Sequence, residues 1–252
     1  MPHESSLDLA SRLGVHAIDA AVVAVDALSP ALVAVELRAP AELAGVPGND
    51  VMVRVPDASG EYVRRRYSVR SVDATRGTIT LWIAVAHDGP GSRWARTTTP
   101  GDVVDLVGPR GKIGLDPMAD WHLFAGDVTA LGSFYRLASS IEVPGRAIFL
   151  IEVDHMDDAV TTSFDEGLGV TGIFVERQGR AGNDPAGLLT ALAAFATPPD
   201  EGHAYLFGEF AVTMTLRKAL LDRGLTAEQI DRKAFWRMGR MNAAHGEPDK
   251  GD

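Results

Sequence analysis

The chain has 252 residues, 46% hydrophobic and 23% charged, with no cysteine. It can bury a core large enough for two lobes, while disulfides, thiolate metal sites and cysteine-ligated iron–sulfur clusters are excluded, so redox chemistry would need a bound cofactor. A formal net charge of −10 argues against general nucleic-acid binding, which needs a basic footprint. No apolar run is long enough to cross a bilayer, and Met1-Pro2-His3-Glu4-Ser5-Ser6 lacks a basic stretch followed by an apolar core. The expectation is a cytoplasmic protein without stable membrane association.

In chain order, residues 1–15 read as an N-terminal extension and residues 16–117 have the rhythm of an antiparallel barrel. Val22 to Val25, Leu32 to Leu37, Val51 to Val55, Tyr67 to Val72, Ile79 to Val85 and Val103 to Val107 are short β-rich runs. Turn chemistry at Ser29-Pro30, Asp57-Ala58-Ser59-Gly60 and Pro100-Gly101-Asp102 separates them. Such spacing suggests a closed or nearly closed six-stranded sheet without exposed edges, interrupted before its last strand by a one- or two-turn helix after Gly91.

Pro109, Gly111, Gly114 and Pro117 then break the periodicity, and residues 118–242 alternate. A strand opening at Trp121 leads into a helical stretch from Thr129 to Ile141. Strands follow at Ala147 to Val153, Gly172 to Val175, Ala204 to Phe207 and Lys233 to Trp236. Helices from Pro185 to Phe195 and Val212 to Arg223 lie between them. Such alternation predicts a parallel α/β sheet, followed by a frayed tail over 243–252.

Two motifs in the first half carry chemistry. Arg64-Arg65-Arg66-Tyr67-Ser68-Val69-Arg70 offers cations, an aromatic face and a small hydroxyl. His87-Asp88-Gly89-Pro90-Gly91-Ser92-Arg93-Trp94-Ala95 offers a glycine-rich turn running into a helix. Gly89 and Gly91 let backbone N–H groups approach an anion, Ser92 adds a hydroxyl, and the helix N-terminus adds positive potential. Arg65 presents a fork matched to phosphate oxygens. Tyr67 lies on the same strand face, two residues on, placing its ring against a flat heterocycle and Ser68 near that ring's reactive nitrogen. Together they suit a ligand with both a flat ring and a pyrophosphate, as in a flavin dinucleotide. Solvated arginines, cross-strand packing of Tyr67 and a plain turn are the alternatives.

In a parallel sheet ligands sit at the carboxyl ends of the strands, which directs attention to Gly126-Asp127-Val128-Thr129 and Gly208-Glu209-Phe210. Neither is a dinucleotide fingerprint. Asp127 and Thr129 also suit capping of the next helix. Arg177 and Arg180 follow a strand, where they meet the extra phosphate of a nicotinamide cofactor or are simply solvated. The seven histidines show no pair at metal-ligand spacing. Neither His87 nor His245 is assigned as a proton donor.

Arg65-x-Tyr67-Ser68 resembles the signature of ferredoxin-reductase-like flavoproteins, and Arg65-Arg66-Tyr67-Ser68-Val69-Arg70 is closer to their siderophore-interacting, or ferric-siderophore reductase, branch. Gly89-Pro90-Gly91-Ser92-Arg93-Trp94-Ala95, Ala125-Gly126-Asp127-Val128-Thr129-Ala130-Leu131, Gly208-Glu209 and Phe235-Trp236-Arg237-Met238-Gly239-Arg240 agree with it, in order, from about residue 16 to residue 240. The resemblance implies an FAD-binding β-barrel domain over 16–117 and an NAD(P)H-binding-like α/β domain over 118–242. It assigns FAD contacts to Arg65, Tyr67, Ser68, Val69, His87, Gly89, Gly91, Ser92 and Trp94 in the first domain. Asp127, Thr129, Ala130 and Trp236 add contacts from the second. Glu209 lies near an approaching nicotinamide, and Arg237 and Arg240 border the substrate.

The implied function is FAD-dependent reduction of a ferric siderophore, with NADPH, NADH or a ferredoxin as donor. Oxygen-rich chelators hold Fe(III) more tightly than Fe(II), so reduction releases the metal. Three positions depart from the family pattern: Val51 stands where a histidine is usual, Gly132 where a proline is common, and Phe235 replaces a tyrosine. A general flavin or quinone oxidoreductase and a non-enzymatic siderophore-binding protein are the alternatives.

Overall fold

Alternating β-branched and polar side chains in the first half build β1 (His16–Ser29), β2 (Leu32–Arg38), β3 (Asp50–Pro56), β4 (Tyr62–Asp73), β5 (Thr78–Ala84) and β6 (Val103–Arg110). They form a closed barrel in the order β1-β2-β5-β4-β3-β6. Closure depends on the length of β1. Its first half, His16 to Ala21, pairs with β6, and its second half, Val22 to Ser29, pairs with β2. In the sequence only Val22–Val25 is legible as this strand, because the polar Asp19 and Asp26 mask its period. Val35, Leu37, Val51, Val53, Val69 and Leu81 fill the barrel interior.

This computed structural model describes residues 5–160, 171–196, 198 and 200–239, and the chain divides into two units after Gly114. The first unit begins with a helix that the sequence reading treated as an extension. Helix α1 (Ser6–Leu13) is capped by Ser5, whose hydroxyl accepts from the Asp8 amide, and ends at Gly14 with φ +66°. Its Leu9 and Ala10 pack on Met52 and Val107 outside the barrel. The short α2 (Ala41–Ala44) was also not foreseen. The expected helix after the glycine turn is α3 (Pro90–Thr97), with Gly89 at the N-cap and Pro90 in the first turn.

The second unit is built on β7 (Trp121–Asp127), β8 (Ala147–Val153), β9 (Thr171–Glu176), β10 (Gly202–Glu209) and β11 (Ile230–Trp236). All pairs are parallel, in the order β11-β10-β7-β8-β9. The central strands β7, β8 and β10 are buried along their whole length, as strands covered on both faces must be. Leucines of β7, β8 and β10 meet those of α5 (Ala186–Ala194) and α6 (Phe210–Asp222). Phe134 of α4 (Leu131–Ala138) stacks on Phe207 and packs tilted against Phe124 and Phe149. The helix expected over Thr129–Ile141 therefore splits into a 3-10 turn, Val128–Ala130, and α4.

Gly126 is needed where β7 meets β10, because a Cβ there would collide with the Phe207 carbonyl oxygen. At the amino end of the same strands, the His203 ring nitrogens lie 3.2 Å from Asp116 and 3.0 Å from Asp231. Neighbouring His122 is buried. Burial and the nearby His203 push its pKa down from 6.5 to about 4.

Candidate functional site

In the first unit, β4 divides its polar residues by alternation. Arg65 and Tyr67 face α3, and Gly91 lies against both: a Cβ on Gly91 would collide with the Tyr67 hydroxyl and come within 3.5 Å of the Arg65 stem. Trp94 of α3 stacks on Tyr67, with ring centroids 6.5 Å apart. Burial pushes the Tyr67 phenol pKa up and the Arg65 guanidinium pKa down. Tyr67 therefore stays a neutral phenol. Arg65 Nη1 donates to the Arg64 carbonyl at 2.9 Å, which holds the side chain along the strand.

The other face of β4 is structural. Arg66 Nη2 donates to Asp50 at 2.7 Å and Ser68 Oγ donates to the second Asp50 oxygen at 2.8 Å. Asp50 itself is 1% exposed. The Ser68 hydroxyl, expected at the ligand ring, here donates to the carboxylate directly opposite on β3. Asp50 was missed as the anchor because only strand register brings it beside Arg66 and Ser68. Val51, standing in the place of the usual histidine, lies fully buried in the barrel core, and so does Val69.

At the turn, Gly89 has open space where a Cβ would be, and His87 is exposed. Ser92 Oγ donates to the Ala84 carbonyl at 2.9 Å, so the hydroxyl expected on a phosphate instead fastens α3 to β5. The first turn of a helix leaves its own amides without intrahelical acceptors. The amides of Gly91 and Ser92 are such donors, next to the Arg65 side chain. A pyrophosphate fits this donor set of backbone N–H groups and a guanidinium.

In the second unit, the carboxyl ends of β7, β10 and β11 converge on Asp127. Its Oδ1 accepts from the Thr129 amide at 3.0 Å, and its Oδ2 accepts from the Glu209 amide and the Trp236 indole, each at 2.9 Å. The Thr129 hydroxyl also bonds Oδ1. Ala130, beside them, is fully buried. The capping alternative for Asp127 and Thr129 is thus realised, extended by a tie to β10 and β11. Gly208, at φ +136°, leaves room for the Asp127 carboxylate. Glu209 caps α6 by accepting from the Ala211 and Val212 amides, and its other oxygen accepts from the Met238 amide at 3.1 Å. The Trp236 ring lies against Gly182.

Arg237 is exposed, its guanidinium 4.6 Å from the Phe210 ring centroid, and Arg232 lies 5.3 Å from the same ring. Burial and the like charge of Arg217 push the Arg232 pKa down. Arg240 lies outside the described residues. Neither reading of Arg177 as solvated or as a ready phosphate ligand matches its placement: it is buried and paired with Glu152 at 3.0 Å and with Asp154.

A closed antiparallel barrel followed by a five-stranded parallel sheet is the arrangement of ferredoxin-reductase-like flavoproteins. Two family descriptions match in succession: the siderophore-interacting FAD-binding domain over residues 46–113, and the siderophore-interacting protein over residues 119–239. The chain belongs to the siderophore-interacting protein family. It is 32% identical over 189 residues to an uncharacterised protein of Mycobacterium tuberculosis, across 70% of this chain and 65% of that protein. Thus the match spans a little under two thirds of that relative. It is 26% identical to the ferric vibriobactin reductase ViuB of Vibrio cholerae, over 73% of this chain and 68% of that protein. Among solved structures, a siderophore utilization protein from T. fusca superposes with a TM-score of 0.78 at 28% identity, covering 92% of this chain and 96% of that one.

Proposed function

We propose that this chain is an FAD-dependent reductase of ferric siderophores. The observation that carries the reading is the junction of α3 with β4, where Gly91 brings a helix N-terminus against Arg65 and Tyr67. The similarity to ViuB supports the choice of substrate class. FAD, when bound, supplies the link between a two-electron donor and a one-electron acceptor.

The residues of the chain bind and orient. Arg65 and the amides of Gly91 and Ser92 hold the pyrophosphate, with Gly89 keeping the approach clear. Tyr67, braced by Trp94, offers its ring as a flat apolar support and keeps its proton, because burial holds the phenol pKa high. Ser68 and Asp50 fix the strand from behind, so Ser68 and Val69 contribute through the backbone. Arg237 meets the anionic chelate, whose own oxygens retain the iron. A nicotinamide donor is taken at the carboxyl end of the parallel sheet.

The test is anaerobic absorbance of the FAD-loaded protein, reduced with a nicotinamide donor and then mixed with ferric vibriobactin or a ferric hydroxamate. Return of the oxidised flavin band together with Fe(II) captured by ferrozine supports the reading. A reduced protein that reoxidises with quinone but not with any ferric chelate overturns it.

A further inference from the structure

Cations just past the carboxyl end of β9 would be the natural ligands of a nicotinamide donor's 2′-phosphate, and here they are engaged by carboxylates of β8 and its following loop. Arg177 Nε donates to Glu152 Oε2 at 3.0 Å, and its Nη1 bonds Asp154. Two separate nitrogens of the guanidinium fork are thereby closed, on a side chain only 10% exposed. Arg180 Nη2 donates to the Glu176 carbonyl at 3.1 Å and stands 3.6 Å from Glu152 Oε1. Its guanidinium sits against Gly187 of α5, in the space a Cβ would fill.

Glu152 is 1% exposed, and its Oε1 has no hydrogen-bond partner. Moving Arg177 to a phosphate would take from the buried Glu152 carboxylate its hydrogen-bonded cation and leave it only Arg180 at 3.6 Å, a costly change for a buried charge. The surroundings add to this. Asp154 and Glu176 present partly exposed carboxylates, 33% and 36% accessible, and the exposed His155 ring lies 3.8 Å from Glu176. Among the described residues, two guanidinium charges thus face the three carboxylates of Glu152, Asp154 and Glu176. A phosphomonoester would enter a rim already net negative, whereas a ribose hydroxyl would find acceptors.

We propose that this end of the sheet selects a nicotinamide donor with a free 2′-hydroxyl, NADH, against its 2′-phosphorylated form, and that Glu152 and Asp154 set the selection by withdrawing Arg177. The inference rests on the reading that a nicotinamide donor serves the flavin. Glu152 and Asp154 act here as positioning residues, through the arginine.

The experiment compares NADH with NADPH in anaerobic stopped-flow reduction of the FAD-loaded full chain. In parallel, ADP-ribose and its 2′-phosphate are titrated into the same protein by calorimetry, a readout that needs no electron transfer. The expected result is at least a tenfold preference for NADH and for ADP-ribose. Asp154→Asn, which opens one edge of Arg177 at a partly exposed position, should narrow that ratio at least threefold. Glu152→Gln should narrow it further where the variant folds, whereas a merely structural role would weaken both ligands alike. Equal or better use of NADPH, failure of both analogues to bind, or a ratio unmoved in Asp154→Asn overturns the proposal. Protein reduced by dithionite still reports on ferric-chelate reduction, so failure here is distinguishable from failure of the reductase reading.

Discussion

The barrel unit and the sheet unit treat polar groups in opposite ways. At α3 and β4 the barrel builds its site by omission: Gly89 and Gly91 remove side chains, and the first helical turn leaves amides without intrahelical acceptors. At the carboxyl end of the sheet, Asp127, Glu209 and Glu152 are each engaged by two or more protein donors or cations. A ligand can therefore exploit the donors of the first unit as they stand. In the second unit a ligand must fit around carboxylates that protein donors and cations already engage, which turns that network into a selector.

The sharpest way to break the comparison is one substitution in both units. In Gly126→Ala the new Cβ meets the Phe207 carbonyl, a backbone atom within a parallel pair. We expect a loss at the upper end of the roughly 1–3 kcal/mol typical of overpacking, read as a lower urea midpoint. In Gly91→Ala the obstacle is the tip of the Tyr67 side chain. FAD affinity should fall while the urea midpoint of the apoprotein changes less. If Gly91→Ala lowers stability as much as Gly126→Ala and leaves FAD affinity intact, the site is wrongly placed.

Next in size is the contrast between neighbouring arginines. Arg65→Ala removes a charge-assisted phosphate contact worth roughly 1.5–3 kcal/mol, so FAD titrations should show a dissociation constant raised ten- to hundredfold. Arg66→Ala removes the Arg66 cation from buried Asp50, costing about 1–3 kcal/mol of stability with little change in FAD affinity. Smaller again is Trp236→Phe, which removes the indole donor to Asp127. About 1 kcal/mol of stability should be lost, measured by thermal melting.

The last prediction is silent at neutral pH. His122 has a folded pKa of about 4 against an ordinary 6.5, so between those values the unfolded chain binds the extra proton. Its contribution to stability is complete above pH 6.5 and is lost as the pH falls toward 4. His122→Phe should flatten the fall of the urea midpoint over that window relative to the parent protein. Parallel pH profiles for the two proteins would show that His122 is not the group responsible.

Much of the frame was legible in the chain. Turn residues and period-2 runs marked every barrel strand, and Gly89-Pro90-Gly91 marked a helix start because proline and glycine have local, sequence-bound effects. Helix α1 was missed although Ser5 and Gly14 bracket it, since its apolar face makes sense only against Met52 and Val107.

What the sequence determined by itself is whatever depends on neighbours along the chain: strand alternation that puts Arg65 and Tyr67 on one face, the open amides after Gly89, and the absence of thiol chemistry. Tertiary structure alone decided which polar groups are engaged. Asp50 takes the Ser68 proton across a strand pair, Ala84 takes that of Ser92, and Glu152 takes Arg177 from the next strand. Hydrogen-bond capacity is finite and is claimed by the nearest partner in space, and that partner is set by register and packing rather than by position in the chain.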